Sequence, residues 1–144
     1  MMLARTFLFL LLAAGLASAA PLRFEASSLK YLYSISLDQK GDKVSGVFIR
    51  SEYGVDKVKY RFTGRVVKKS ARESKIYVTF SPRDLKRKGR SGYPPTHEAT
   101  PWRLIETRKG PRLNVSVITP VRSSSSPSWR VSEVEFDQDA PHQR

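Results

Sequence analysis

Lysine and arginine recur at alternate positions along one stretch of this chain: Lys57, Lys59, Arg61 and, after Thr63, Arg65. Successive side chains of an extended strand point to opposite faces. These four cations therefore share one face, spread along roughly 26 Å at about 3.3 Å per residue. Val58, Tyr60, Phe62 and Val66 take the other face. Arg83, Lys86, Arg87, Lys88 and Arg90 follow within residues 81–101, where the only carboxylates are Asp84 and Glu98. The chemistry open to such a set is electrostatic: it concentrates and holds anions. A polar strand face is also a common guard against edge-to-edge aggregation. The whole chain argues for more than that. It carries 26 basic against 13 acidic side chains, a formal charge of +13, beyond the magnitude of about 2–8 that solubility asks of a small domain.

Bond-making chemistry finds little material. There is no cysteine and no G-x-S-x-G elbow, and the only histidines are His97, in the 81–101 segment, and His142, near the C-terminus. No His or carboxylate group has the spacing of a metal site, so no metal or cofactor is expected. Asp137, Asp139 and His142 could chelate only at the cost of ordering a terminal segment. Glu133 and Glu135 share a strand face and could act as an acid–base pair, but pairing with cross-strand Arg or Lys is the simpler expectation. Asn114-Val115-Ser116 is a glycosylation sequon whose asparagine is expected to point outward from its strand. No catalytic residue is assigned, and the chain reads as a non-enzymatic protein.

The elements that must position the cations are strands. Met1 to Arg5 is a short basic n-region, Thr6 to Leu16 an apolar run, and Ala17-Ser18-Ala19 a small-x-small cleavage pattern, so residues 1–19 read as a secretory signal peptide. Its removal leaves 144 − 19 = 125 residues and, with Arg5 gone, a charge of 25 − 13 = +12. That length suits one domain, 20–136, with one core. The mature protein is expected outside the cytoplasm, periplasmic or secreted. Leu29 to Leu37 alternates apolar and polar residues, Gln39 to Asp42 breaks the run, and Val44 to Tyr53 resumes it. Lys57 to Lys68 and Ile76 to Phe80 continue the pattern, and Trp102 to Arg108, Leu113 to Thr119 and Trp129 to Phe136 close it. Lys109-Gly110-Pro111 is expected as a tight turn. Residues 81–101 hold six Pro or Gly and are expected as a long basic loop. Residues 20–28 fit a helical turn or an edge segment, and residues 137–144 read as a polar, frayed tail. The fold class is thus all-β: an antiparallel up-and-down meander of about seven strands, closing as a small barrel or partly open, with a β-sandwich as the alternative.

Tyr33-Ser-Ile-Ser-Leu37, Gly41-Asp-Lys-Val-Ser-Gly-Val-Phe48 and Tyr60-Arg-Phe-Thr-Gly64 together resemble the opening hairpins of small exported bacterial lipocalin-like β-proteins. The resemblance covers residues 31–80 and implies a cavity for an apolar ligand. It carries no catalytic residue, and the chain lacks the G-x-W segment near the mature N-terminus that marks true lipocalins. Tyr31, Tyr33, Phe48, Tyr60, Phe62, Phe80, Trp102 and Trp129 would form the core, or line that pocket. Two expectations of function follow. One is an envelope or secreted protein holding an acidic surface or polymer, such as lipopolysaccharide or anionic lipid, through its basic face. The other is a carrier of a small apolar ligand. Nucleic acid is not the expected partner, because Tyr60 and Phe62 lie opposite the cations and only Tyr93 and Tyr77 could stack bases beside them. An eight-stranded membrane barrel would need a continuous lipid-facing apolar band, and it is not expected from about seven strands followed by a polar tail.

Overall fold

A computed structural model describes residues 21–27, 31–52, 56–86, 96, 100–121 and 128–138. Residues 1–19, expected as a signal peptide, lie outside these, as do Arg87, Lys88, Arg90, Tyr93, His97 and the residues from Asp139. Eight strands form: β1 (Leu22–Ser27), β2 (Tyr31–Lys40), β3 (Lys43–Glu52), β4 (Asp56–Lys68), β5 (Glu73–Phe80), β6 (Trp102–Thr107), β7 (Gly110–Val121) and β8 (Ser128–Gln138). Each pairs antiparallel with the next, and β1 pairs with β8 through Phe24↔Gln138 and Glu25↔Asp137, so the sheet closes as an up-and-down barrel. The sandwich alternative falls. The eighth strand is β1, in the segment expected as a helical turn or an edge segment; its residues Leu22 to Ser27 alternate apolar and polar as a strand does.

Period-two patterning sets which side chains enter the barrel. Phe24, Tyr33, Ile35, Leu37, Phe48, Tyr60, Phe62, Ile76, Phe80, Trp102, Leu113, Val115, Val117 and Phe136 are buried in one cluster. The outward positions are mostly Ser, Thr, Lys, Arg and Glu, the reverse of a membrane barrel. Among the described residues, no helix is long and apolar enough to cross a membrane.

Three tight turns sit at one end of the barrel. Gly41-Asp42 joins β2 to β3, with Gly41 at φ +62°, a conformation open to glycine because it has no Cβ. Residues 69–72 join β4 to β5, with the Lys69 and Ser70 N–H groups donating to the Glu73 carbonyl at 2.9 and 3.1 Å. Arg108-Lys109 joins β6 to β7, where the Thr107 hydroxyl donates to the Gly110 carbonyl at 2.7 Å. Gly110 and Pro111, expected in that turn, are the first residues of β7, and Asp137 and Gln138, expected in the tail, complete β8.

At the opposite end β5 stops at Phe80, and the chain leaves the sheet through a one-turn helix, α1 (Pro82–Leu85), inside the segment expected as a loop. The hand-over leaves the β4 backbone at Arg61 without a strand partner on that side, and α1 supplies one. The Ser81 N–H donates to the Arg61 carbonyl at 2.8 Å, and Asp84 Oδ2 accepts the Arg61 N–H at 2.8 Å. Thr96 then makes an isolated bridge to Val117. Asp84 is 3% exposed, and a carboxylate so enclosed is tolerated because it is bonded. Asp84→Ala should lower the thermal midpoint by several degrees, with a smaller loss for Asp84→Asn, whose carbonyl still accepts the backbone bond. Equal losses in a melting series would show that the backbone contact is not what matters.

Candidate anion-binding face

The outer surface divides by how its cations are partnered. On β6 and β7 the arginines are neutralised across strands, while Lys75 on β5, opposite Arg103, has no ion pair among the described residues. Arg103 bonds Glu73 at 2.6 Å and reaches Glu133 at 3.5 Å. Arg112 reaches Glu135 at 3.5 Å and Asp137 at 3.3 Å. Glu133 and Glu135 are therefore occupied by arginines, as their strand face implied. The Glu73 hydrogen bond, with further help from both carboxylates' charge, holds the Arg103 guanidinium above its ordinary range.

On β3 and β4 the pattern differs. Lys57, Lys59, Arg61 and Arg65 do share the outer face of β4, and all are exposed. Arg61 is spoken for: its Nε donates to Asp84 at 3.0 Å, and that hydrogen bond, then the charge, raises its pKa. Lys57, Lys59 and Arg65 have no ion pair among the described residues, nor does Lys43, which lies directly opposite Arg65. Arg83 and Lys86, in and just after α1, are exposed, and α1 meets this face at Arg61, near its middle. Arg87, Lys88 and Arg90 lie outside the described residues, so the expected basic loop is represented by these two cations.

Sequence reading missed a larger concentration. The three turns at one end carry exposed Lys40, Lys43, Lys68, Lys69, Arg72, Arg108 and Lys109. They adjoin one another: the Val66 N–H on β4 donates to the Asp42 carbonyl at 2.7 Å, and the Glu106 N–H donates to the Arg72 carbonyl at 2.8 Å. Each turn contributes two or three cations, which is unremarkable along the chain. The up-and-down strand order sets all three on one edge of the sheet, and closure of the barrel curls that edge into a rim. Arg65 and Lys43 connect this rim to the β4 face.

The interior holds the aromatic set. Tyr31, Tyr33, Phe48, Tyr60, Phe62, Phe80 and Trp102 are all buried in the core cluster. The Trp129 side chain lies outside the described residues, although its backbone pairs with Pro120. Phe48 meets the rings of Tyr33, Tyr60, Phe80, Trp102 and Phe136 at centroid distances of 5.9–6.4 Å. Arg50 also points inward. It is 1% exposed, donates to the Tyr60 hydroxyl at 3.2 Å and lies 5.7 Å from that ring's centroid. Its place in the inward series Val44, Gly46, Phe48, Arg50 was readable from β3's alternation alone. Asn114 corrects another expectation. It is 9% exposed, not open to solvent, and its Nδ2 donates to Glu133 at 3.0 Å. No group of three or more His, Asp or Glu among the described residues could hold a metal ion.

No family model matches the chain, and neither does any curated protein or solved structure.

Proposed function

We propose that this protein is an exported, non-enzymatic barrel that binds anionic polymers or surfaces through the basic β3–β4 side and its adjoining turns. The reading rests on one contrast. Arginines on β6 and β7 are matched with carboxylates, whereas Lys43, Lys57, Lys59 and Arg65 have no ion pair among the described residues. Unmatched cations clustered on one side repel each other in the folded state, and an anionic partner relieves that repulsion. The partner class is a phosphate- or carboxylate-bearing surface of the cell envelope, such as lipopolysaccharide or anionic lipid. The signal peptide supports placement where such surfaces are met. The ring packing around Phe48 favours surface binding over carriage of an apolar ligand, since it fills the centre where a ligand would sit.

The mature protein should bind vesicles containing anionic lipid, and binding should weaken steeply as salt rises, because the screening length shrinks from about 30 Å at 0.01 M to about 8 Å at 0.15 M. Reversing Lys57, Lys59 and Arg65 to glutamate should weaken binding at least tenfold. Co-sedimentation across a salt series reads both effects, and binding that is absent in dilute buffer or indifferent to salt would refute the reading.

A further inference from the structure

Beneath the first turn, on the outer face of β2 to β5, lies a depression of about 490 Å³. Two rows of side chains cross it. The upper row is set by the register Lys40↔Lys43 and Lys43↔Arg65, so three cations stand directly opposite one another on adjacent strands. The next row, two residues along each strand, is Asp38↔Ser45, Ser45↔Thr63 and Thr63↔Thr79, a carboxylate on β2 followed by three hydroxyls side by side. The three cations and the three hydroxyls line the depression and are exposed. Tyr77, 45% exposed, extends the upper row beyond Arg65.

Like charges directly opposite across an antiparallel pair destabilise the sheet, with Cβ atoms only about 4.5–5.5 Å apart. Here it happens twice in succession. Asp38 and Asp42 also line the depression, yet neither forms an ion pair among the described residues. A row of cations over a row of hydroxyl donors is what a tetrahedral oxyanion needs: charge from above, neutral hydrogen bonds from below.

We propose that this depression is a phosphoryl-group site. Lys40, Lys43 and Arg65 supply the charge, and Ser45, Thr63 and Thr79 donate hydrogen bonds. The site deepens the surface-binding reading and rests on it for the source of the phosphoryl group. It opens beside the cationic rim of turns, so a headgroup held there would set the rim against the surface that bears it.

The test uses the full mature chain. Inorganic phosphate should raise the thermal midpoint of the wild type by several degrees over chloride at equal ionic strength. The double variant Lys43→Gln/Arg65→Gln should melt higher than wild type without phosphate, because a like-charge contact is relieved, and should lose most of the phosphate increment. Thr63→Val should lose part of the increment, and Lys57→Gln/Lys59→Gln should keep all of it. Phosphate also stabilises proteins by exclusion from their surface, so an increment equal in the wild type and in Lys43→Gln/Arg65→Gln would overturn the site. On vesicles of phosphatidylcholine with phosphatidate, the same double variant should bind at least tenfold more weakly. If its vesicle binding is unchanged while the phosphate increment is lost, free phosphate is the ligand, and the site stands without its membrane source. If wild-type protein ignores the vesicles yet keeps the increment, the site survives and the surface reading fails. Vesicle binding equal in wild type and variant, with no phosphate increment in either, sinks the site alone.

Discussion

Phe48→Ala should destabilise the barrel by about 3–5 kcal/mol, the range for removing a large aromatic from a packed core. Phe48 is fully buried, with five aromatic rings around it at 5.9–6.4 Å. Its loss removes apolar burial and several ring–ring contacts, each worth about 0.5–1.5 kcal/mol beyond area. The neighbours belong to β2, β4, β5, β6 and β8, so the ring ties together strands that are not adjacent in the sheet. A domain with only about 5–15 kcal/mol in hand would lose a large part of it. Phe48→Leu, which keeps more of the volume, should cost about 1.5 kcal/mol. Urea unfolding with an unchanged slope reads the difference. A second measurement bears on function. The alanine variant should gain a dry cavity that takes a small apolar probe such as xenon, and the wild type should take none. Uptake by the wild type, or a cost below about 1 kcal/mol, would mean that the centre is not filled and would revive the carrier reading.

Gly46→Ala is expected to cost about 3 kcal/mol, the upper end of overpacking effects. A Cβ at Gly46 would lie 1.9 Å from the Ser36 carbonyl oxygen and 2.8 Å from Phe62 Cζ. Phe62, directly across on β4, could turn aside, but the Ser36 oxygen is backbone and moves only if β2 and β3 separate. The ladder between β2 and β3 would then be damaged at the Leu37↔Gly46 pair. Gly41→Ala separates crowding from backbone strain. Nothing lies within 4 Å of a Cβ there, so its cost is the left-handed conformation alone, about 1–2 kcal/mol. Chemical denaturation of the two variants should rank Gly46→Ala well above Gly41→Ala, and the reverse order would contradict the close approach of β2 and β3.

The charge pattern was legible only where it follows strand parity. Lys57, Lys59, Arg61 and Arg65 fall on one face because a strand's period is two, and that depends on nothing distant. What parity cannot say is which cations are already matched. Arg61 is bound by Asp84, 23 residues away, because α1 takes over the edge that β5 abandons. Arg103 meets Glu133, thirty residues on, through the β6–β7–β8 register. Asn114, outward by parity, is enclosed because that same register sets it between Arg103 and Glu135, from where its amide reaches the diagonal Glu133.

By itself the chain determined the strand alternation, the aromatic inward faces, most turn positions and the excess of positive charge, since each is a property of a short window of residues. Tertiary structure decided closure through β1 and β8, the burial of Asp84, the gathering of three turns into one cationic rim, and the facing of Lys40, Lys43 and Arg65. Those depend on which strands become neighbours and in what register. Neighbourhood in a closed sheet is set by the packing of the whole core around residues such as Phe48, and no local stretch of sequence contains it.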